Sequence, residues 1–528
     1  QNSRQGGAML DKQFFTNMAV LVVCLVSNNT AGQAPAETSA TTATISNLGG
    51  LGRDSQSIAY IKASNTGAYE HFGESVALSA DGNTLAVGAV FEDSGATGTG
   101  SDQSDSSAPN AGAVYLFTHI GNRWVQQAYI KASNTEAGDR FGFSVALSHD
   151  GNTLATGAIS EDSSSIGIDG DQTDNSMDNA GAAYVFARNG KIWSQQAYVK
   201  ASNTGGTEEG DQFGYDVALN ADGTTLTVSA ITEDSAATGI NGNQNDASAV
   251  DVGAVYVYTR NNETWNQQAY LKPRQSPRET LVGSVLFGFA IGLDASGDTL
   301  AVSGFNEDTN RGSIYIFSRE NNRWLEQARV QASNAEIGDA LASAIAVSAD
   351  GNTIVGGAFD EDSALIGVAL SNEGNGDQPT DLAVGAAYVF VRDDNEWLQQ
   401  AFIKPTNTQG NQHFGWAVAL SLDGNTLAGG AHYENGGSQG INGDQQDDSS
   451  PDSGAVYVYQ RTGTTWAPIA YVKAPNASAS DEFGMAVALN DNGTVLAVGA
   501  PREASSTSDI KESTGDEAAP ESGAVYVY

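Results

Sequence analysis

Acidic side chains recur along this chain at fixed intervals, in a pattern that suits a hard divalent cation. Short blocks of the type Leu-Ala-Val-Gly-Ala each lead into a loop whose third residue is glutamate: Glu92, Glu161, Glu233, Glu307, Glu361, Glu434 and Glu503. The next residue is Asp93, Asp162, Asp234, Asp308 or Asp362, then Asn435 and Ala504 in the last two copies. Further along, most loops carry a second pair: Asp102 and Asp105, Asp171 and Asp174, Asn243 and Asp246, Asp444 and Asp447. One loop adds Asp169 to give Asp169-Gly170-Asp171-Gln172-Thr173-Asp174. Five of these loops leave 22 residues between the block and the next glycine. Calcium takes six to eight oxygen ligands, which carboxylates and loop carbonyls supply. The expectation is that each long loop folds around a Ca²⁺, with the acidic pair at its start and the Asp-x-x-Asp near its end converging on the ion. The alternative is a solvated acidic loop. The twelve-residue spacing of an EF-hand is absent.

Other chemistry is poorly represented. His71 and His413 share one repeat position that elsewhere holds Arg140, Gln212 or Glu482, so a shared loop location explains them better than catalysis. No Gly-x-Ser-x-Gly elbow, His-Glu-x-x-His pair or phosphate-cradling glycine loop occurs. The sequence reads as non-enzymatic. Its 528 residues hold 63 Asp plus Glu against 24 Lys plus Arg, a net charge of −39. That balance excludes nucleic acid as a default partner. The single cysteine, Cys24, excludes a disulfide framework.

The elements that hold these loops are repeats. A Gly-Ala-Val-Tyr-Val-Tyr-like block starts at Gly112, Gly181, Gly253, Gly312, Gly385, Gly454 and Gly523. A Phe-Gly pair opens at Phe72, Phe141, Phe213, Phe287, Phe414 and Phe483, with Leu341-Ala342 in the fifth unit. Trp124, Trp193, Trp265, Trp324, Trp397 and Trp466 mark a third block, read as packing anchors of an outer strand. Each unit reads as four short strands, as in Phe72–Ser79, Thr84–Ala89, Ala113–Phe117 and Trp124 to about Lys131. Sustained helical periodicity is lacking. Seven four-stranded units predict an all-β, seven-bladed propeller. Unit seven lacks a fourth strand, and a spare copy, Ile58-Ala59-Tyr60-Ile61-Lys62, precedes unit one. The predicted closure pairs the two, which hides the free edges.

The Phe-Gly…Ser-Val-Ala-Leu…Leu-Ala-Val-Gly-Ala…Gly-Ala-Val-Tyr-Val-Tyr unit resembles the FG-GAP repeat of integrin α-subunit propellers and of their bacterial surface relatives, over about residues 56–528. The resemblance implies extracellular adhesion or ligand binding, often with calcium. One departure is clear. Integrin-type propellers carry calcium in the hairpin between strands one and two, whereas here that hairpin is only Ser79-Ala80-Asp81-Gly82-Asn83. Asp81, Asp150, Asp222, Asp350 and Asp423 therefore read as turn formers. Propeller geometry puts the long loops on one face with the entry residues Glu70, Asp139, Asp211, Asp339 and Asp481, making one rim strongly negative.

Residues 1–34 read as a secretory signal or a retained tail, because the apolar run Met18–Val26 is too short to span a membrane. Residues 35–55 read as a flexible linker and 56–528 as the propeller. The expectation is a secreted or surface-displayed calcium-binding propeller acting in adhesion on an extracellular protein or glycan ligand, without a transmembrane span. A filament subunit that joins copies of itself through the tail is the alternative, and an enzyme of the central channel is a third class.

Overall fold

The computed structural model describes residues 58–204, 210–274, 285–363, 365–370, 383–407, 410–508 and 516–528. The expected signal or tail segment and the linker lie outside the described residues. Seven antiparallel sheets follow one another in sequence order. Blade one is Phe72–Leu78, Thr84–Ala89, Ala113–Ile120 and Arg123–Ile130, paired in that order. The third strand runs three residues beyond the predicted Phe117, because Thr118, His119 and Ile120 pair with Val125, Trp124 and Arg123 across a tight turn.

The first strands abut their neighbours all the way round, including the first strand of blade seven against that of blade one. They form the inner ring of the propeller. Closure is as expected: Ala59, Tyr60 and Ile61 pair with Val527, Tyr526 and Val525, completing the seventh sheet. Among the described residues no helix is long and apolar enough to cross a membrane.

The core lies between blades. Phe141, for example, is fully buried, meets Tyr184 and Phe186 of its own blade edge-on, and shares one apolar cluster with Val114, Leu116 and Ile130 of blade one. The Phe-Gly motif follows from how closely the blades approach. Gly214 has φ +95, a region that favours glycine, and its carbonyl oxygen would lie 1.8 Å from a Cβ on Gly157 of the preceding blade. Further out, Trp193 donates its Nε1–H to Gln127 of the blade before it, at 2.9 Å, and lies against Arg188. The phased tryptophans are thus packing anchors, as their spacing predicted, and all but Trp397 of the six are buried.

Candidate functional site

The hairpin aspartates are turn formers. Asp81 accepts hydrogen bonds from the Ser79 hydroxyl and the Asn83 backbone. Burial raises its carboxyl pKa, but the hydrogen bonds from Ser79 and from the Asn83 side chain and backbone together outweigh that and hold it below the usual range.

The long loops are ordered by a device the sequence reading missed: they fold back across the fourth strand of their own blade. Lys131 donates its backbone N–H to Gly98 at 2.9 Å, and Gly98 donates to Ala132 at 3.1 Å. Thr99 bridges Ile130, and Ile168, Ile240 and Ile441 bridge Val199, Leu271 and Val472 in the same way. In blade five the crossing becomes a fifth strand, Val368–Leu370. In blades one, two, three and six the shared length therefore has a cause that needs no ion: each of these loops must reach over the same strand and return.

The structure splits the predicted ligand set. The first group is the glutamates, which are buried in ion pairs. Glu92 accepts from Lys131 Nζ at 2.7 Å, the Tyr129 hydroxyl at 2.8 Å, Asn65 Nδ2 at 2.9 Å and the Ser94 backbone at 3.1 Å. Glu161, Glu233 and Glu434 hold Lys200, Lys272 and Lys473 at 2.6, 2.6 and 2.7 Å. Glu503 holds Lys62 of the closing strand at 2.9 Å. In blade four, where Gln331 replaces the lysine, Glu307 turns to Arg329 and Tyr315.

The second group is the aspartates that tie the loop together. Asp93 accepts the Asn110 N–H at 2.9 Å, and Asp162 and Asp234 do the same for Asn179 and Asp251. Asp169 accepts the Tyr198 N–H of the crossed strand at 3.0 Å. Asp102, Asp105, Asp171, Asn243, Asp246, Asp444 and Asp447 each accept the N–H two residues on. Asp174 turns back to the Ser164 N–H at 3.0 Å.

Some of the set does share a cavity. Asp211, Glu233, Asp234 and Asp246 line a space of about 260 Å³ beside blade three, and Glu70, Glu92, Asp93 and Asp105 line its counterpart in blade one. The entry residues and the long loops lie together, as expected. Asp102 and Asn243, the first members of the second pair in these loops, do not line the cavities. Among the described residues no three His, Cys, Asp or Glu side chains stand close enough to hold a metal ion.

The entry acids carry a pH dependence. Burial raises Glu70, Asp139 and Asp339 to about 7 and Asp481 to about 8; a backbone N–H pulls each down, and neighbours such as Glu92 or Glu161 push it up. The fold keeps these protons where the unfolded chain, with carboxyl pKa values of about 4, has released them. The folded state thus binds more protons, and stability falls as pH rises from about 4 through 7–8. The expected melting temperature is higher at pH 6 than at pH 8.5, checked by calorimetry in matched ionic strength.

The protein is a closed seven-bladed β-propeller with its long loops on one face beside the entry acids. The chain carries FG-GAP repeats: the FG-GAP repeat model matches residues 56–117, 124–186, 397–459 and 466–528. No curated protein matches the chain. Among solved structures it is similar to hydrazine synthase of Kuenenia stuttgartiensis, at 10% identity and TM-score 0.44, covering 82% of this chain and 92% of that one. It is also similar to the Cps50 (Swd1) β-propeller domain of Myceliophteria thermophila, at 10% identity and TM-score 0.48, covering 89% and 99%.

Proposed function

We propose that this propeller is a non-enzymatic binding module of the cell surface or extracellular space, taking a protein or glycan ligand in adhesion on its acidic loop face. The observation that supports this is the repeated cavity in which an entry acid meets the Glu-Asp pair and the distal Asp of a long loop. A face of this charge concentrates cations and basic partners near it. Calcium enters the reading as an ion that bridges face and ligand, recruited by the aspartates, since the glutamates are already paired with lysines.

The test is calorimetry and thermal melting of chelator-stripped protein with added Ca²⁺ at pH 8. Saturable heat and a raised melting temperature are expected, both reduced in Asp93→Asn with Asp105→Asn. Asparagine is tolerated at the first position, where Asn435 stands in blade six and accepts the Asp452 N–H at 2.9 Å. No heat and no shift would remove calcium from the reading.

A further inference from the structure

The buried glutamates hold more than an ion pair. In each of six blades one carboxylate binds a lysine amine on one oxygen and an asparagine amide on the other. In blade one Lys131 Nζ lies 2.7 Å from Glu92 Oε2, and Asn65 Nδ2 lies 2.9 Å from Glu92 Oε1. The third member is a tyrosine: the Tyr115 hydroxyl donates to Asn65 Oδ1 at 2.5 Å. Blades two, six and seven repeat the group as Lys200–Glu161–Asn134 with Tyr184, Lys473–Glu434–Asn407 with Tyr457, and Lys62–Glu503–Asn476 with Tyr526. Blade three has Lys272, Glu233, Asn203 and Tyr256 in the same contacts, and blade five pairs Lys404 and Asn334 with Glu361. The six lysines are at most 1% exposed.

These groups are an amine, a carboxyl amide, a proton carrier between them and a donor on the amide oxygen. That is what amide exchange needs. We propose that the lysine and asparagine of these blades join as intramolecular isopeptide bonds, Asn65 to Lys131 and Asn476 to Lys62 among them. The carboxylate takes a proton from the lysine, and the freed Nζ lone pair adds to the asparagine Cγ. The charge that develops on Oδ1 is met by the tyrosine O–H. The carboxyl proton then passes to Nδ2, the carboxylate takes the second proton from Nζ, the Cγ–Nδ2 bond breaks, and ammonia leaves while the carboxyl keeps that proton until it exchanges with solvent. One C–N bond forms, one breaks, and no redox partner is needed. Burial favours the neutral amine: desolvation pulls Lys131 below the ordinary lysine range, against the opposing pull of Glu92.

Blade four is a built-in control. Its sequence has Gln331 at the lysine place, so the reacting amine is absent, and Gln275 at the asparagine place, whose carboxamide is carried on a side chain one methylene longer. In blade seven the bond would tie the closing strand to the ring, because Lys62 directly follows the strand Ala59–Ile61.

Peptide mapping by mass spectrometry of the folded full chain tests this. Linked peptides joining Asn65 to Lys131 and Asn476 to Lys62 are expected, each lighter by one ammonia than the sum of its parts, with none from blade four. Glu503→Gln and Lys62→Arg should each remove only the Asn476–Lys62 link. The arginine variant keeps a cation beside Glu503 and so reports even where the glutamine variant fails to fold. Unlinked peptides at all six sites in the folded native protein would overturn the proposal, and so would a link that survives in Lys62→Arg.

Discussion

Replacing Gly157 with alanine should cost about 3 kcal/mol or more, the upper end of what overpacking a tight core costs. The added Cβ would stand 1.8 Å from the Gly214 carbonyl oxygen and 2.8 Å from its carbon. Both atoms are backbone, so no side chain can swing aside. The two glycines lie where the second strand of blade two passes the first strand of blade three, and relief requires the blades to part. The same contact recurs: a Cβ on Gly357 would meet Gly415 at 1.8 Å, on Gly430 would meet Gly484 at 2.0 Å, and on Gly499 would meet Gly73 at 2.0 Å. Gly167→Ala is the matched control. It lies at φ +80 with nothing within 4 Å of the new Cβ, so it pays only the conformational penalty, about 1 kcal/mol. Urea unfolding of the two variants checks the contrast, and equal midpoints would refute the close-approach account.

The blade count, the strand order and the closing strand were legible because they depend on local pattern repeated in phase. The place of Tyr184 holds tyrosine in all seven units and that of Phe141 holds phenylalanine in six, with Leu341 in the fifth, because the inter-blade cores have similar shapes to fill. The glutamates were legible as special but not as to role. Lys131 lies 39 residues beyond Glu92, and nothing local to either shows that they meet. At the end of a strand rich in Gln, a lysine reads as a solvated residue, and only the loop laid over that strand makes it buried. That loop crossing rests on backbone hydrogen bonds such as Gly98 to Ala132, which leave little mark on side-chain type. The aspartates were legible as recurrent positions but not as to role, for a related reason: an Asp that caps a turn and an Asp that ligates a cation are the same residue, at similar spacing.

Removing residues 1–64 should destabilise the propeller by more than any single substitution in the blades. Three losses combine. The backbone of Ala524–Val527 loses the partner strand that pairs with Val525, Tyr526 and Val527, leaving an open edge inside a closed ring. Ile61, fully buried, leaves a gap whose apolar burial is worth about 1.5–3 kcal/mol. Glu503, only 3% exposed, loses Lys62 Nζ at 2.9 Å and the Tyr60 hydroxyl at 2.9 Å. Stranding one partner of a buried pair costs about 3–5 kcal/mol. The expected outcome is a large fall in melting temperature and concentration-dependent association through the exposed edge, read by calorimetry and sedimentation. A synthetic peptide spanning residues 56–66 should restore stability in trans, because an extended segment docks on such an edge through main-chain hydrogen bonds. The same peptide with Lys62→Met should restore less, since it returns the strand but leaves Glu503 without its cation. A truncated protein that melts within a few degrees of the full chain would show that the ring does not depend on this strand.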